Sequence, residues 1–138
     1  MPMQGFLLLQ NFKEMRMAET RKPDIYFREN GQIDITSRVS KTLGLHPGDA
    51  INVWDAGGEY YLYVTERNVK GKFRGVCRKV NFGSNFLRAN FYDLAKKIIA
   101  LCGKREAHLP VGSAVEVDNI GTALPLITRN NLYDEQRH

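Results

Sequence analysis

The sequence predicts a mainly β fold with short helices, built from two diverged copies of one strand-helix-hairpin unit. Three observations lead there: an ungapped internal match, a glycine turn followed each time by alternating apolar and polar residues, and the same order of elements upstream of each match. Leu45-His46-Pro47-Gly48-Asp49-Ala50-Ile51-Asn52-Val53 aligns on Leu109-Pro110-Val111-Gly112-Ser113-Ala114-Val115-Glu116-Val117. Leu, Gly, Ala, Ile or Val, and Val recur in register.

In the first copy, Gln32 to Ile35 reads as a strand. Thr36 or Ser37 caps a helix whose apolar face carries Val39 and Leu43, and Gly44 ends it. The turn at Pro47-Gly48 starts a strand through Val53, Asp55-Ala56-Gly57-Gly58 reverses the chain, and Glu59 to Thr65 brings it back. In the second copy Phe86 to Ala89 is extended and Asn90 is the expected cap. Phe91, Leu94, Ala95, Ile98, Ile99 and Cys102 then form the apolar stripe of a longer helix that stops at Gly103. Gly103 to His108 reads as a link, and Asp118-Asn119-Ile120-Gly121 as the turn before a last strand, Thr122 to Thr128. Between the copies, Val76 to Val80 alternates and is expected to form a bridging strand with differently charged faces.

These elements imply one domain over residues 23–128, with half-units at about 23–66 and 76–128 joined by a basic linker, 67–75. Residues 1–22 form an N-terminal extension too apolar for a plain tail, with Phe6 to Leu9, Phe12, Met15 and Met17, and suited to covering the fold or a partner. Residues 129–138 read as a polar tail that frays. The apolar cluster Phe6 to Leu9 is short and has no basic flank, which fits neither a secretory leader nor a membrane span, so a cytoplasmic protein is expected. Cys77 and Cys102 have no neighbour at metal-ligand spacing and read as reduced, buried thiols, with no cofactor or metal implied.

The 138 residues, 43% hydrophobic and 25% charged, suffice for a sizeable core, and a net charge of +5 bears on partners rather than on fold. Its distribution is uneven. Arg67, Lys70, Lys72, Arg74, Arg78 and Lys79 follow one another with no acidic residue between them. Asp49, Asp55, Glu59 and Glu66 occupy a stretch with no basic residue. Such a run suits a solvated surface or a loop facing phosphates.

The stretch from Gly31 to Val53, above all Leu43-Gly44-Leu45-His46-Pro47-Gly48-Asp49, resembles the AbrB/SpoVT family of swapped-hairpin transcription regulators. The resemblance implies a small barrel made by intertwining two units, from two chains or, as in MraZ-like members, from tandem copies in one chain. It also implies contact with duplex DNA through basic residues of the first strand and helix, here Arg28, Arg38 and Lys41. The chain departs from the family at Ile35-Thr36, where Ile-Pro is common, and in the longer helix and link of the second copy.

Binding nucleic acid requires several cations reaching phosphates together. Arg67, Lys70, Lys72 and Arg74 join Arg28, Arg38 and Lys41 as candidates, and Phe73 is a candidate to stack on a base, although a core position also suits it. His46, His108 and His138 pair with no nucleophile or ligand set, and Gly71 to Gly75 lacks the ending of a phosphate-binding loop, so no enzyme is expected. The expected function is a DNA-binding regulator. The alternatives are a protein-interaction module, such as an antitoxin-like or mobile-element accessory protein, and a single-stranded nucleic-acid binder. A homodimer and an internal pseudo-dimer both fit a tandem repeat.

Overall fold

The computed structural model describes residues 22–71, 73–80 and 85–134. The apolar cluster near the N-terminus, Lys72, His138 and the end of the polar tail lie outside the described residues. The fold is mainly β, as expected, in two antiparallel sheets. The strands in chain order are β1 (Ile25–Phe27), β2 (Gln32–Ile35), β3 (Ala50–Asp55), β4 (Tyr60–Glu66), β5 (Arg78–Lys79), β6 (Leu87–Asn90), β7 (Ala107–Leu109), β8 (Val115–Val117) and β9 (Gly121–Leu126). Helix α1 (Ser37–Leu43) follows β2, and α2 (Tyr92–Cys102) follows β6.

One sheet has the order β5-β6-β2-β1-β7 and the other β3-β4-β9-β8. Hairpins β1–β2 and β5–β6 meet along the β2–β6 seam, with Ile33 opposite Ala89 and Asp34 opposite Arg88. Hairpins β3–β4 and β8–β9 meet along β4–β9, with Leu62 opposite Leu124. Each sheet therefore takes one hairpin from the first half of the chain and one from the second. Bridges at Ala50–Val76 and Val111–Leu126 join the margins of the two sheets. Ile25, Phe27, Ile33 and Ile35 from one sheet, Ile51, Leu62, Leu124 and Leu126 from the other, and Val39, Leu94 and Ile98 from the helices share a single core.

Helix α1 ends as its sequence predicts. Gly44 is left-handed at φ 60°, its N–H donates to the Lys41 carbonyl, and Leu45 N–H donates to Ser40 O at 2.7 Å. This pair of bonds satisfies carbonyls the helix leaves open and buries Leu45 against the core. Thr36 is the N-cap, but its hydroxyl donates to Asp24 O at 2.9 Å and not to the helix. Asn90 is not the cap of α2. It closes β6 opposite Gln32, and Phe91 stands in the cap position because ladder pairing holds the chain extended one residue further than the helical pattern suggests.

Three other expectations change. The bridging strand contracts to Arg78–Lys79, because Cys77 spends its backbone groups on the turn: its N–H donates to Asp49 O and its carbonyl accepts from Gly48 N. The link after α2 contains β7, an extra edge strand that pairs with β1 and has no counterpart in the first copy. Residues 129–134 are docked, not fraying. The Asn131 amide donates to Glu106 O, its oxygen accepts from His108 N, and Tyr133 is buried. These bonds satisfy main-chain groups along β7 that an edge strand otherwise exposes.

Asp49, in the turn before β3, is buried and accepts from His46 N at 2.9 Å, Asn68 N at 3.0 Å and Arg67 Nη1 at 2.8 Å. Arg67 also donates to Leu43 O and Gly44 O at the end of α1. One carboxylate thus holds the turn, the helix terminus and the start of the linker. Burial pushes Asp49 up, but the hydrogen bonds from Asn68, His46 and Arg67 outweigh it and leave its carboxyl below the usual range. Cys77, beside it, is buried as expected and pushed up to about 12 by burial and by the Asp49 charge; Cys102, expected to be buried, is only partly so at the end of α2, and partial burial pushes it up to about 11.

A depressed native carboxyl gives stability that is complete above the unfolded value and is lost as pH falls through the native one, so unfolding free energy in urea should be flat between about pH 5 and pH 7 and decline below about pH 4, and the raised thiols should make it decline again as pH rises past about 8.5, the ordinary thiol value. The Asp49→Asn variant should be about 3 kcal/mol less stable at neutral pH, with a shallower acid limb. Both thiols should resist a disulfide-exchange reagent at about pH 8 in the native protein and react once it is unfolded.

Candidate nucleic-acid interface

The cations expected to face phosphates fall into three settings. Arg28, at the end of β1, is already engaged. Its Nε donates to Asp34 Oδ2 at 3.0 Å, its Nη1 lies 3.4 Å from Glu106, and its guanidinium sits 5.1 Å from the Tyr26 ring centre. Asp34 is 1% exposed and takes a second arginine across the seam, Arg88, whose Nε donates at 2.6 Å. Burial pushes the Asp34 carboxyl up, but hydrogen bonds from Arg88 and Arg28 overcome that and hold it below the ordinary range. Register extends this row over the whole sheet, Arg78, Arg88, Asp34, Tyr26 and His108 lying side by side on one face. His108 packs edge-on against Tyr26 and Tyr133, with Nε2 at 3.1 Å from Glu106.

Arg38 and Lys41 share α1 and remain outward. The Arg38 side chain is 64% exposed, with a carboxylate oxygen of Asp24 at 4.0 Å. Lys41 forms part of an open groove of about 500 Å³ between α1 and the β6 margin, whose walls include Ser37, Ser40, His46, Asn85 and Leu87. Lys79, on the edge strand, pairs with Leu87 and so stands beside this wall, whereas Arg78 is exposed on the opposite face of the sheet, in the row with Arg88. Among the described residues no carboxylate lines the groove. Hydroxyls, an amide and a lysine along an unenclosed trough suit an extended anionic chain better than a small apolar ligand.

The linker divides. Arg67 is committed to Asp49 and the α1 carbonyls, so it serves the fold. Lys70 is exposed, and Lys72 is outside the described residues. Phe73 is 65% exposed, not in the core. Arg74 lies 3.5 Å from Asp93 and 5.6 Å from the Phe91 ring centre.

Sequence reasoning passed over Lys79 as a site residue although it belongs to the basic run it singled out. The pairing that sets Lys79 beside the α1 groove is long-range and carries no local signal. It also passed over the Asp34–Arg88 bridge, because Asp34 occupies an ordinary polar position of the alternating strand Gln32-Ile33-Asp34-Ile35. Comparison with family models, curated proteins and solved structures gives no match. No helix among the described residues is long and apolar enough to cross a membrane, and none of them group into a metal-ligating cluster.

Because Asp34 neutralises two guanidinium groups on one sheet, Asp34→Ala should cost about 3 kcal/mol in urea unfolding. Arg38→Ala, on a solvated helix face, should stay within about 0.5 kcal/mol of the parent.

Proposed function

We propose that this protein is a DNA-binding regulator of the swapped-hairpin kind, engaging the duplex backbone through the groove beside α1. The observation that carries the reading is the convergence of Lys41, from α1, and Lys79, from the edge strand, beside a trough with no carboxylate in its described walls. The lysines there replace the counterions condensed on the DNA phosphates, while Ser37, Asn85 and His46 offer hydrogen bonds for register on the backbone. The alternating contribution of hairpins to the two sheets supports the resemblance in the Gly31 to Val53 segment. Arg28 and Arg67 drop out as phosphate ligands in this reading, since both are spent on buried carboxylates.

A second reading has its own support. The outer face of the β3-β4-β9-β8 sheet carries Trp54 beside Tyr61, ring centres 5.6 Å apart, with Tyr63 and the exposed Val115 on the same face. Asp55, Glu59, Glu66, Glu116 and Asp118 belong to this sheet's strands and turns, and residues 49–66 and 110–128 hold no lysine or arginine. An aromatic face among carboxylates favours a protein partner with a basic rim, and Trp54, the single tryptophan, would report its docking.

Anisotropy on a random duplex across about 50 to 300 mM salt tests the first reading. Affinity is expected to fall steeply, and Lys41→Ala/Lys79→Ala to bind at least tenfold more weakly with a log-log salt slope reduced by about 2. Absence of duplex binding at the lowest salt overturns it.

A further inference from the structure

The turn that opens β5 and the first turn of α2 form a second surface, separate from the groove. Phe73 and Tyr92 are 65% and 54% exposed, unusual for large rings on a surface otherwise dominated by charge. The segments that carry them meet: Gly75 N donates to Asn90 O at 3.0 Å. Arg74 reaches both the Phe91 ring and Asp93, so residues 73–74 abut residues 91–93. Cations stand beside the rings: Lys96 Nζ lies 5.9 Å from the Tyr92 centroid, the Arg74 side chain, next to Phe73, is 74% exposed, and Lys70 is exposed shortly before Phe73 in the linker. Asp93 is the carboxylate within this group, and Arg74 stands against it.

Phe73 is held, not dangling. Its carbonyl accepts from Val76 N at 3.3 Å, and its ring edge lies 3.0 Å from the point where a Cβ on Gly71 would sit. Gly71, at φ 112°, has the conformation and the missing side chain that let the ring lie on the backbone. The rest of the ring faces solvent. An aromatic ring fixed on one side and open on the other, flanked by ammonium and guanidinium groups, matches what an unpaired base and its phosphates require.

We infer that the Phe73–Tyr92 surface binds single-stranded nucleic acid by stacking unpaired bases, with Arg74, Lys96 and Lys70 meeting the phosphates. This goes beyond duplex binding at the α1 groove and uses none of that groove's residues. The surface is charge-matched to a polyanion, and its rings lie too far into solvent to serve the core.

The test is anisotropy with labelled oligothymidylate of about 12 nucleotides, an abasic strand of the same length, and a duplex, all near 50 mM salt. Oligothymidylate should bind about tenfold more tightly than the abasic strand. Phe73→Ala/Tyr92→Ala should lose about tenfold or more on oligothymidylate and less than about threefold on duplex, while Phe73→Trp/Tyr92→Phe keeps the parent affinity. Lys41→Ala/Lys79→Ala should show the reverse preference, so failure of the groove and failure of the stacking surface are told apart. Thermal melting of each variant checks the fold. Equal binding of abasic and thymidylate strands, or no loss in the folded alanine double variant, overturns the proposal.

Discussion

Both proposed surfaces depend on the carboxylate of Asp49. By accepting from His46 N, Asn68 N and Arg67 it fixes the end of α1, which carries Lys41 on the groove wall, and the beginning of the linker, which leads to Phe73. A neutral side chain at this position makes fewer and weaker bonds, and Arg67 would be left bridging two helix carbonyls without its counter-charge. The carboxylate acts through charge as well as geometry, since three donors in a buried turn are matched by one anion. This explains why the densest basic stretch of the chain does not simply wave in solvent: its first residue is anchored, and the remaining cations are displayed from that anchor.

The seam between β2 and β6 supplies the second constraint. It brings together two hairpins far apart in sequence, and Asp34 and Arg88 meet on it directly. A buried ion pair is a weak source of net stability but a strong discriminator of register, because a slip by one residue would bury Arg88 or Asp34 against apolar neighbours. The two seams, β2–β6 and β4–β9, are the places where the halves of the chain recognise one another, one by charge and the other by the apolar pair Leu62 and Leu124.

Much of this was legible in the amino-acid sequence because it is local. The repeat, the helix stop at Gly44, the hairpin turns and the apolar stripe of α2 are each encoded within a dozen residues, where periodicity and turn chemistry operate. What escaped depends on partners distant in the chain. β7 is three residues long and becomes a strand only beside β1, and Asn131 docks because β7 offers its edge. Arg28 and Arg67 looked like free cations because Asp34, Glu106 and Asp49 are brought to them by the fold. Phe73 read more readily as a core residue, and the fold instead leaves it exposed, with its ring against Gly71.

The joining of both halves in one continuous chain has a further consequence. In an assembly of two identical chains, any change at one face is copied to the other, and the surface stays palindromic. Here the halves are covalently tied yet unlike: α1 has seven residues and α2 eleven, β7 is added at one margin only, and Asp49 is matched in the repeat by an exposed Ser113. Dilution does not separate them, and each is free to specialise. A ligand lying across the β2–β6 seam therefore meets a directional surface, with a polarity that distinguishes one end of a bound strand from the other.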